Sequence, residues 1–97
     1  MHEQIQQLVE GKDYQIGSKV PIQFRYWGVE GENHVFVRKH PLAESTIQVY
    51  RIQNEHLIMD SDRVVDSSHK YTHSNYHRTN SKTEFQIYSP IMEAQTQ

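Results

Sequence analysis

The stretch VPIQFRYWGVEGENHVFVRK, residues 20–39, decides the fold of this chain. Apolar and polar side chains alternate on both sides of a segment with two glycines, and a period of two is typical of a half-buried strand. The middle segment, GVEGEN at 28–33, has the composition of a turn, because glycine adopts positive φ without a steric penalty. We therefore predict a β-hairpin whose first strand ends at Trp27-Gly28 and whose second strand runs over His34–Lys39.

Similar short segments lie on both sides of this hairpin and predict further strands at 14–16, 46–52, 56–59, 63–65 and 84–89. Near the start of the chain, Ile5, Leu8 and Val9 follow a spacing of i, i+3, i+4, which predicts a short helix over His2–Glu10. About six short strands at this spacing are typical of an antiparallel barrel or sandwich. The expected fold is mainly β, with α+β as a variant: a small antiparallel β-barrel or β-sandwich preceded by a short N-terminal helix.

The predicted core takes the apolar residues from one face of each strand. It consists of Ile16, Val20, Ile22, Phe24, Tyr26, Val35, Val37, Ile47, Val49, Leu57, Met59, Val64, Phe85 and Ile87. The last two carry the most information, because a final strand at 84–89 would return the chain to the sheet. The polar residues 66–83 would then be an insertion within a single domain that spans 1–97.

The bulk composition excludes several classes of protein. The chain has 97 residues, a net charge of −2 and no cysteine, so disulfides and thiolate chemistry are absent. It contains no phosphate-binding loop, dinucleotide fingerprint or nucleophile elbow, so we expect a non-enzymatic protein without a cofactor. The first residues, MHEQIQQLVEGK, lack the basic start and the apolar block of a signal peptide, and no apolar run is long enough for a membrane span. We therefore expect a cytoplasmic protein that does not bind membranes.

The polar stretch DSSHKYTHSNYHRTNSKT, residues 66–83, carries the least ordinary chemistry of the chain. Its three histidines, His69, His73 and His77, are spaced four residues apart. On a helix this spacing would let neighbouring imidazoles share a metal ion, but Ser, Thr, Asn and Tyr between them favour a strand, where the same spacing covers about 13 Å. A metal site formed by these three histidines is therefore one hypothesis among three.

The first hypothesis is a small interaction or regulatory module that binds a protein partner. The same polar segment would present the partner-binding side chains Tyr71, His73, Tyr76 and His77. Tyrosine is enriched at protein interfaces because its ring supplies contact area with little loss of conformational entropy. The partner is not identified by the sequence, and a homo-oligomer formed through an exposed strand edge is a variant of the same hypothesis.

A second hypothesis is a β-barrel that binds single-stranded nucleic acid. Basic and aromatic residues occur together on the predicted strands and would form a stacking platform. The residues of this platform are Arg25, Trp27, Phe36, Arg38, Tyr50 and Arg51. The net negative charge opposes phosphate binding, so a protein partner is the preferred interpretation.

Overall fold

A computed structural model describes residues 8–17, 22–40, 42–67, 76–79 and 81–95, and only the backbone is described for 43, 44, 76–79, 94 and 95. In these ranges the strands are β1 (Asp13–Ile16), β2 (Ile22–Glu30), β3 (Asn33–His40), β4 (Ala43–Gln53), β5 (Leu57–Asp60), β6 (Arg63–Asp66) and β7 (Tyr76–Thr79). A 3-10 turn, Asn54–His56, joins β4 to β5, and the helix α1 spans Lys82–Gln95. The described chain is therefore mainly β, as the sequence predicted.

The predicted hairpin is present and forms the middle of the sheet. β2 and β3 pair antiparallel across a turn in which Gly31 has a φ of 64°. The first strand does not end at Trp27-Gly28 but continues to Glu30, because the pairing register shifts between Tyr26 and Gly28. This shift is a β-bulge, in which one extra residue is accommodated and the strand keeps its partner.

The strands form one sheet in the order β5-β6-β1-β2-β3-β4-β7. β1 and β6 pair parallel and the other neighbours pair antiparallel, so the sheet is mixed. β1 to β6 make up its body, and the four-residue β7 continues it beyond β4. Because β5 and β7 stand at opposite ends, the sheet is open, and the expected closed barrel or two-sheet sandwich is wrong.

The open sheet nevertheless curls strongly. In a flat sheet β4 and β6 would lie about 19 Å apart, since four spacings of about 4.8 Å separate them. The Tyr50 hydroxyl on β4 instead donates to Asp66 Oδ2 on β6 across 3.3 Å. The concave side therefore encloses one apolar cluster from six strands, the inner cluster, which consists of Tyr14, Ile16, Phe24, Tyr26, Phe36, Tyr50, Ile52, Leu57 and Val64.

The opposite side of the sheet is covered by α1 where it crosses β3 and β4. The buried residues here form the helix-side cluster: Val35, Val37, Ile47, Val49, Tyr88 and Met92. Trp27, Phe85 and Ile91 are partly buried against it. β3 and β4 are thus buried on both faces, which explains why their sequences contain consecutive apolar residues as well as alternating ones.

The final strand predicted at 84–89 is wrong, because these residues lie within α1. Phe85 is only partly buried and Ile87 is 45% exposed, so they do not share a buried face. The buried apolar side chains are Tyr88 and Met92, which follow Phe85 at i+3 and i+7 and so form a helical stripe. Because apolar and polar residues also alternate in EFQIYS, this segment matched the pattern of a strand as well as that of a helix.

The described helix is C-terminal, not N-terminal as predicted. The expected helix over His2–Glu10 falls mostly outside the described residues, and its described part, residues 8–10, is not helical. Of the polar stretch 66–83, the described parts contain the end of β6, all of β7 and the start of α1. The stretch therefore includes an element of the sheet.

Most of the predicted core residues are buried. The buried ones are Ile16, Phe24, Tyr26, Val35, Val37, Ile47, Val49, Leu57 and Val64. Ile22, Met59 and Phe85 are partly buried, Ile87 is exposed, and Val20 lies outside the described residues. Among the described residues, the prediction missed six buried hydrophobic side chains: Tyr14, Phe36, Tyr50, Ile52, Tyr88 and Met92. Several of them lie on strand faces that the sequence indicated to be exposed.

Candidate functional site

The edge strand β7 is the first candidate site. It pairs with β4 through four residue pairs, from Ile47 opposite Thr79 to Tyr50 opposite Tyr76. No other described strand pairs with the far side of β7, and β4 is longer than β7 at both ends. An edge of this kind presents backbone N–H and C=O groups to which an additional strand can bind.

The structure places only part of the predicted partner-binding set on this edge. The backbones of Tyr76 and His77 lie in β7, opposite Tyr50 and Val49 of β4. Tyr71 and His73 lie outside the described residues, so the contact surface formed by all four stays a prediction. The fold shows that the two described members of the set, Tyr76 and His77, belong to an edge strand of the described sheet.

The proposed metal ligands are described only in part as well. His69 and His73 lie outside the described residues, and the backbone of His77 belongs to β7. Within the described part of the chain, no three His, Asp or Glu side chains come together as a metal site. The metal hypothesis therefore gains no support from the rest of the fold.

The six residues of the predicted nucleic-acid platform do not share one face. Phe36 and Tyr50 are buried in the inner cluster, at 0% and 5% exposure. Arg38 lies on this concave side too, with its guanidinium carbon 5.7 Å from the centroid of the Phe24 ring. Base stacking requires accessible rings, so this half of the platform offers no stacking surface.

The other half of the platform faces α1. Trp27 packs edge-to-face on Tyr88, with ring centroids 4.9 Å apart. Arg25 is held by Asp13, with Nε 2.6 Å from Oδ1, and it also donates from Nη1 to the carbonyl of Met92. These contacts make Arg25 an anchor for the last turns of the helix.

Arg51, the sixth residue of the platform, belongs to a polar group at the edge of the helix contact. Its Nη2 lies 3.3 Å from the Tyr88 hydroxyl, which donates to Glu30 Oε2 across 3.3 Å. Burial raises the pKa of Tyr88, and the nearby Glu30 carboxylate raises it further, while Arg51 acts in the opposite direction. The phenol therefore stays protonated at neutral pH and bridges α1 to the sheet.

A cleft of about 490 Å³ lies where the β2–β3 turn meets the connection after β4. His34 lines this cleft and lies between the Tyr26 hydroxyl at Nδ1 and Asn54 Oδ1 at Nε2, each 2.9 Å away. Because Asn54 Oδ1 only accepts, the neutral imidazole donates from Nε2 and accepts at Nδ1 from Tyr26. The sequence indicated His34 only as the first residue of a predicted strand, because its two partners are distant along the chain.

Tyr26 is suited to hold this arrangement rather than to react. Burial raises its pKa, and the nearby Glu10 and Tyr14 raise it further. A nucleophilic or basic tyrosine requires the opposite shift, because only the phenolate is reactive. We therefore interpret the chain Tyr26–His34–Asn54 as a structural link that orders the walls of the cleft.

The strand β5 is the second edge of the described sheet. Leu57 is buried and Met59 partly buried against the inner cluster, whereas Ile58 on the other face is 49% exposed. β5 has no lysine, proline or bulge, which are the features that commonly protect an edge from pairing. This edge is therefore open to association.

Comparisons with protein-family models, with curated proteins and with solved structures found no match. In the described ranges, no helix is both long enough and apolar enough to cross a membrane. The geometry of the sheet edges and the chemistry of the residues along them are therefore the features that indicate a function.

Proposed function

We propose that this chain is a non-enzymatic cytoplasmic interaction module that binds an extended segment of a protein partner along β7. The partner would add a strand to the sheet, while Tyr71, His73, Tyr76 and His77 contribute side-chain contacts. Strand addition of this kind combines main-chain hydrogen bonds for affinity with side-chain pockets for specificity. The observation that carries the proposal is the position of β7 as the last described strand beyond β4.

Two further features support this edge over other surfaces. β7 lies within the locally basic polar stretch, where residues 66–83 hold three bases, three histidines and one acid, Asp66. Both faces of the neighbouring strands β3 and β4 are occupied: the concave side by the inner cluster and the opposite side by α1. A polar, tyrosine-containing edge beside two buried faces favours recognition of an extended, acidic or neutral peptide.

The experiment selects a displayed library of random twelve-residue peptides against the intact protein and maps the binding of the selected peptides by NMR. We expect the amide resonances of β7 and of the facing part of β4 to shift. Tyr76→Ala and His77→Ala should each weaken binding by about fivefold or more, as truncation of an interface anchor does. Gln86→Ala is the matched control, because Gln86 is exposed and lies on α1 outside the basic stretch.

Peptides that shift β5 or the His34 cleft instead of β7 would contradict the proposal, as would a selection that returns no specific binder. The two alternatives have distinct signatures. Binding of a twelve-residue oligothymidine that weakens steeply with added salt would favour the nucleic-acid hypothesis. Zinc-induced shifts confined to the rings of His69, His73 and His77 would favour the metal hypothesis.

A further inference from the structure

The turn that ends β5 determines which of its residues form backbone hydrogen bonds with β6. Ser61 and Asp62 form a two-residue connection between β5 and β6, with Ser61 at a φ of 60°. The pair that flanks such a turn, here Asp60 opposite Arg63, exchanges both backbone hydrogen bonds. Pairs alternate along the ladder, so Ile58 also bonds towards β6.

A hydrogen bond next to the other end of β5 agrees with this alternation. The Ser67 amide donates to the His56 carbonyl across 2.8 Å, which places residue 56 on the side of β6 as well. The Leu57 N–H donates to the Asn54 carbonyl within the 3-10 turn, whereas the Leu57 carbonyl and both backbone groups of Met59 point away from β6, towards the open edge. A strand that adds to β5 must exchange its hydrogen bonds with these two residues.

A second copy of β5 fits this edge in one register. When two copies pair antiparallel about a two-fold axis at residue n, the residue k positions before n in one copy lies opposite the residue k positions after n in the other. Centred on Ile58, the register lets the Met59 N–H of each copy donate to the Leu57 carbonyl of the other copy, which gives two main-chain hydrogen bonds related by the axis. It also places the two exposed Ile58 side chains directly opposite each other, at about 4.5–5.5 Å between Cβ atoms.

The charged residues select the same register. Centred on Ile58, it brings the Asp60 carboxylate opposite the His56 imidazole of the second copy, an N–H donor in either protonation state. Centred on Met59, it would set Asp60 against the apolar Ile58, and centred on Asp60 it would oppose two carboxylates. Because His56 and Asp60 belong to the same edge, two identical copies related by a two-fold axis complement each other without a different partner.

We infer that two copies of this chain associate through antiparallel pairing of their β5 edges, with Ile58 on the two-fold axis. The pairing joins the two sheets into one and covers the exposed Ile58 side chains. It leaves β7 accessible on each copy and so goes beyond the proposed function. Because β5 has four residues, the interface is at the small end of specific interfaces, and the dimer is weak and reversible.

The first test uses the absence of cysteine in the chain. Ile58→Cys introduces a single thiol at the two-fold axis, where the spacing of a directly opposed pair is close to that of a disulfide. Mild oxidation of the intact protein should give a covalent dimer at least about tenfold faster than for Ile87→Cys. Ile87 is the matched control, since it is 45% exposed but lies on α1.

The second test is sedimentation equilibrium of the unmodified chain at increasing concentration. We expect a reversible dimer whose dissociation constant rises at least about tenfold in Ile58→Lys and stays unchanged in Ile87→Lys. Circular dichroism verifies that both variants fold, which the exposure of these side chains favours. A monomer at all concentrations, a dimer unaffected by Ile58→Lys, or equal oxidation rates for the two cysteine variants would each overturn the inference.

Discussion

The two sides of the sheet are covered in different ways. The inner cluster takes its nine buried residues from six strands, because the sheet curls over its own concave side. The helix-side cluster takes four buried residues from β3 and β4 and two from α1. The inner cluster therefore depends on strand alternation throughout the chain, whereas the helix-side cluster depends on the attachment of one helix.

The largest expected effect comes from the inner side. Phe36 is fully buried, and its ring centroid lies 5.1 Å from that of Tyr26 and 6.3 Å from that of Tyr14. Phe36→Ala leaves a cavity between strands and should lower the free energy of unfolding by about 4 kcal/mol. Urea denaturation measures this loss. Val29→Ala is the control, since Val29 is 60% exposed, and a loss below about 1 kcal/mol in Phe36→Ala would contradict the described core.

The helix side should respond less strongly and more locally. Tyr88→Ala removes the ring that packs on Trp27 and should cost about 3 kcal/mol. Trp27 is the single tryptophan, so its fluorescence emission should move to longer wavelength as α1 loosens. Tyr88→Phe keeps the ring and should keep the emission close to that of the unmodified protein. Equal emission spectra for Tyr88→Ala and the unmodified protein would contradict the packing.

A smaller effect should follow from the anchor of α1. Arg25 pairs with Asp13 through Nε and Nη2 and donates from Nη1 to the Met92 carbonyl. Arg25→Gln removes the charge-assisted bonds and should cost about 1–2 kcal/mol, with faster amide exchange in the last turn of α1. Arg25→Lys restores the charge without the planar fork, so it should recover only part of the loss. Full recovery would show that charge alone suffices.

The smallest effect is a pH dependence that both sides share. The pKa values of Tyr26 and Tyr88 are raised in the folded state, so folding favours the protonated phenols. Their contribution is fully present below the unfolded pKa of about 10 and is lost as the pH rises through the folded pKa. Stability by urea denaturation should therefore decline above about pH 10. Tyr26→Phe and Tyr88→Phe should each flatten this decline, and an unchanged slope in both would contradict it.

The central hairpin and most of the core were predictable because their signals are local. A turn with two glycines, flanked by alternating residues, specifies a hairpin without information from the rest of the chain. The curl of the sheet was not predictable in this way, since it depends on contacts such as that between Tyr50 and Asp66. The same contacts explain why aromatic residues expected on open faces are buried.

The helix α1 had a local signal that the prediction overlooked. Ser81 and Glu84 form the pattern S-x-x-E of a helix start, and the Glu84 amide donates to Ser81 Oγ across 3.3 Å. Phe85, Tyr88 and Met92 then supply the helical stripe. Pro90 directly follows the predicted strand 84–89 but lies within the helix. Short apolar segments are ambiguous between the two periods, and packing against β3 and β4 decides between them.

The candidate site likewise combines features that are visible in the sequence with features that depend on the fold. Sequence reasoning identified the histidine- and tyrosine-rich segment by composition, which is visible without a fold. It could not show that Tyr76 and His77 lie in an edge strand, or that Arg25 and Arg51 face a helix while Phe36 is buried, because these positions depend on strand order. The His34 cleft likewise joins residues from separate strands.

The amino-acid sequence by itself determined that this chain is β-rich, that β2 and β3 form a hairpin, and that a polar stretch separates the hairpin region from the C-terminal segment. These properties follow from turn chemistry and side-chain period, which act over a few residues. Long-range packing set the remaining features: the sheet stays open and curls, and β5 and β7 are the edges of the described sheet. These outcomes depend on which distant surfaces bury one another, and no local pattern contains that information.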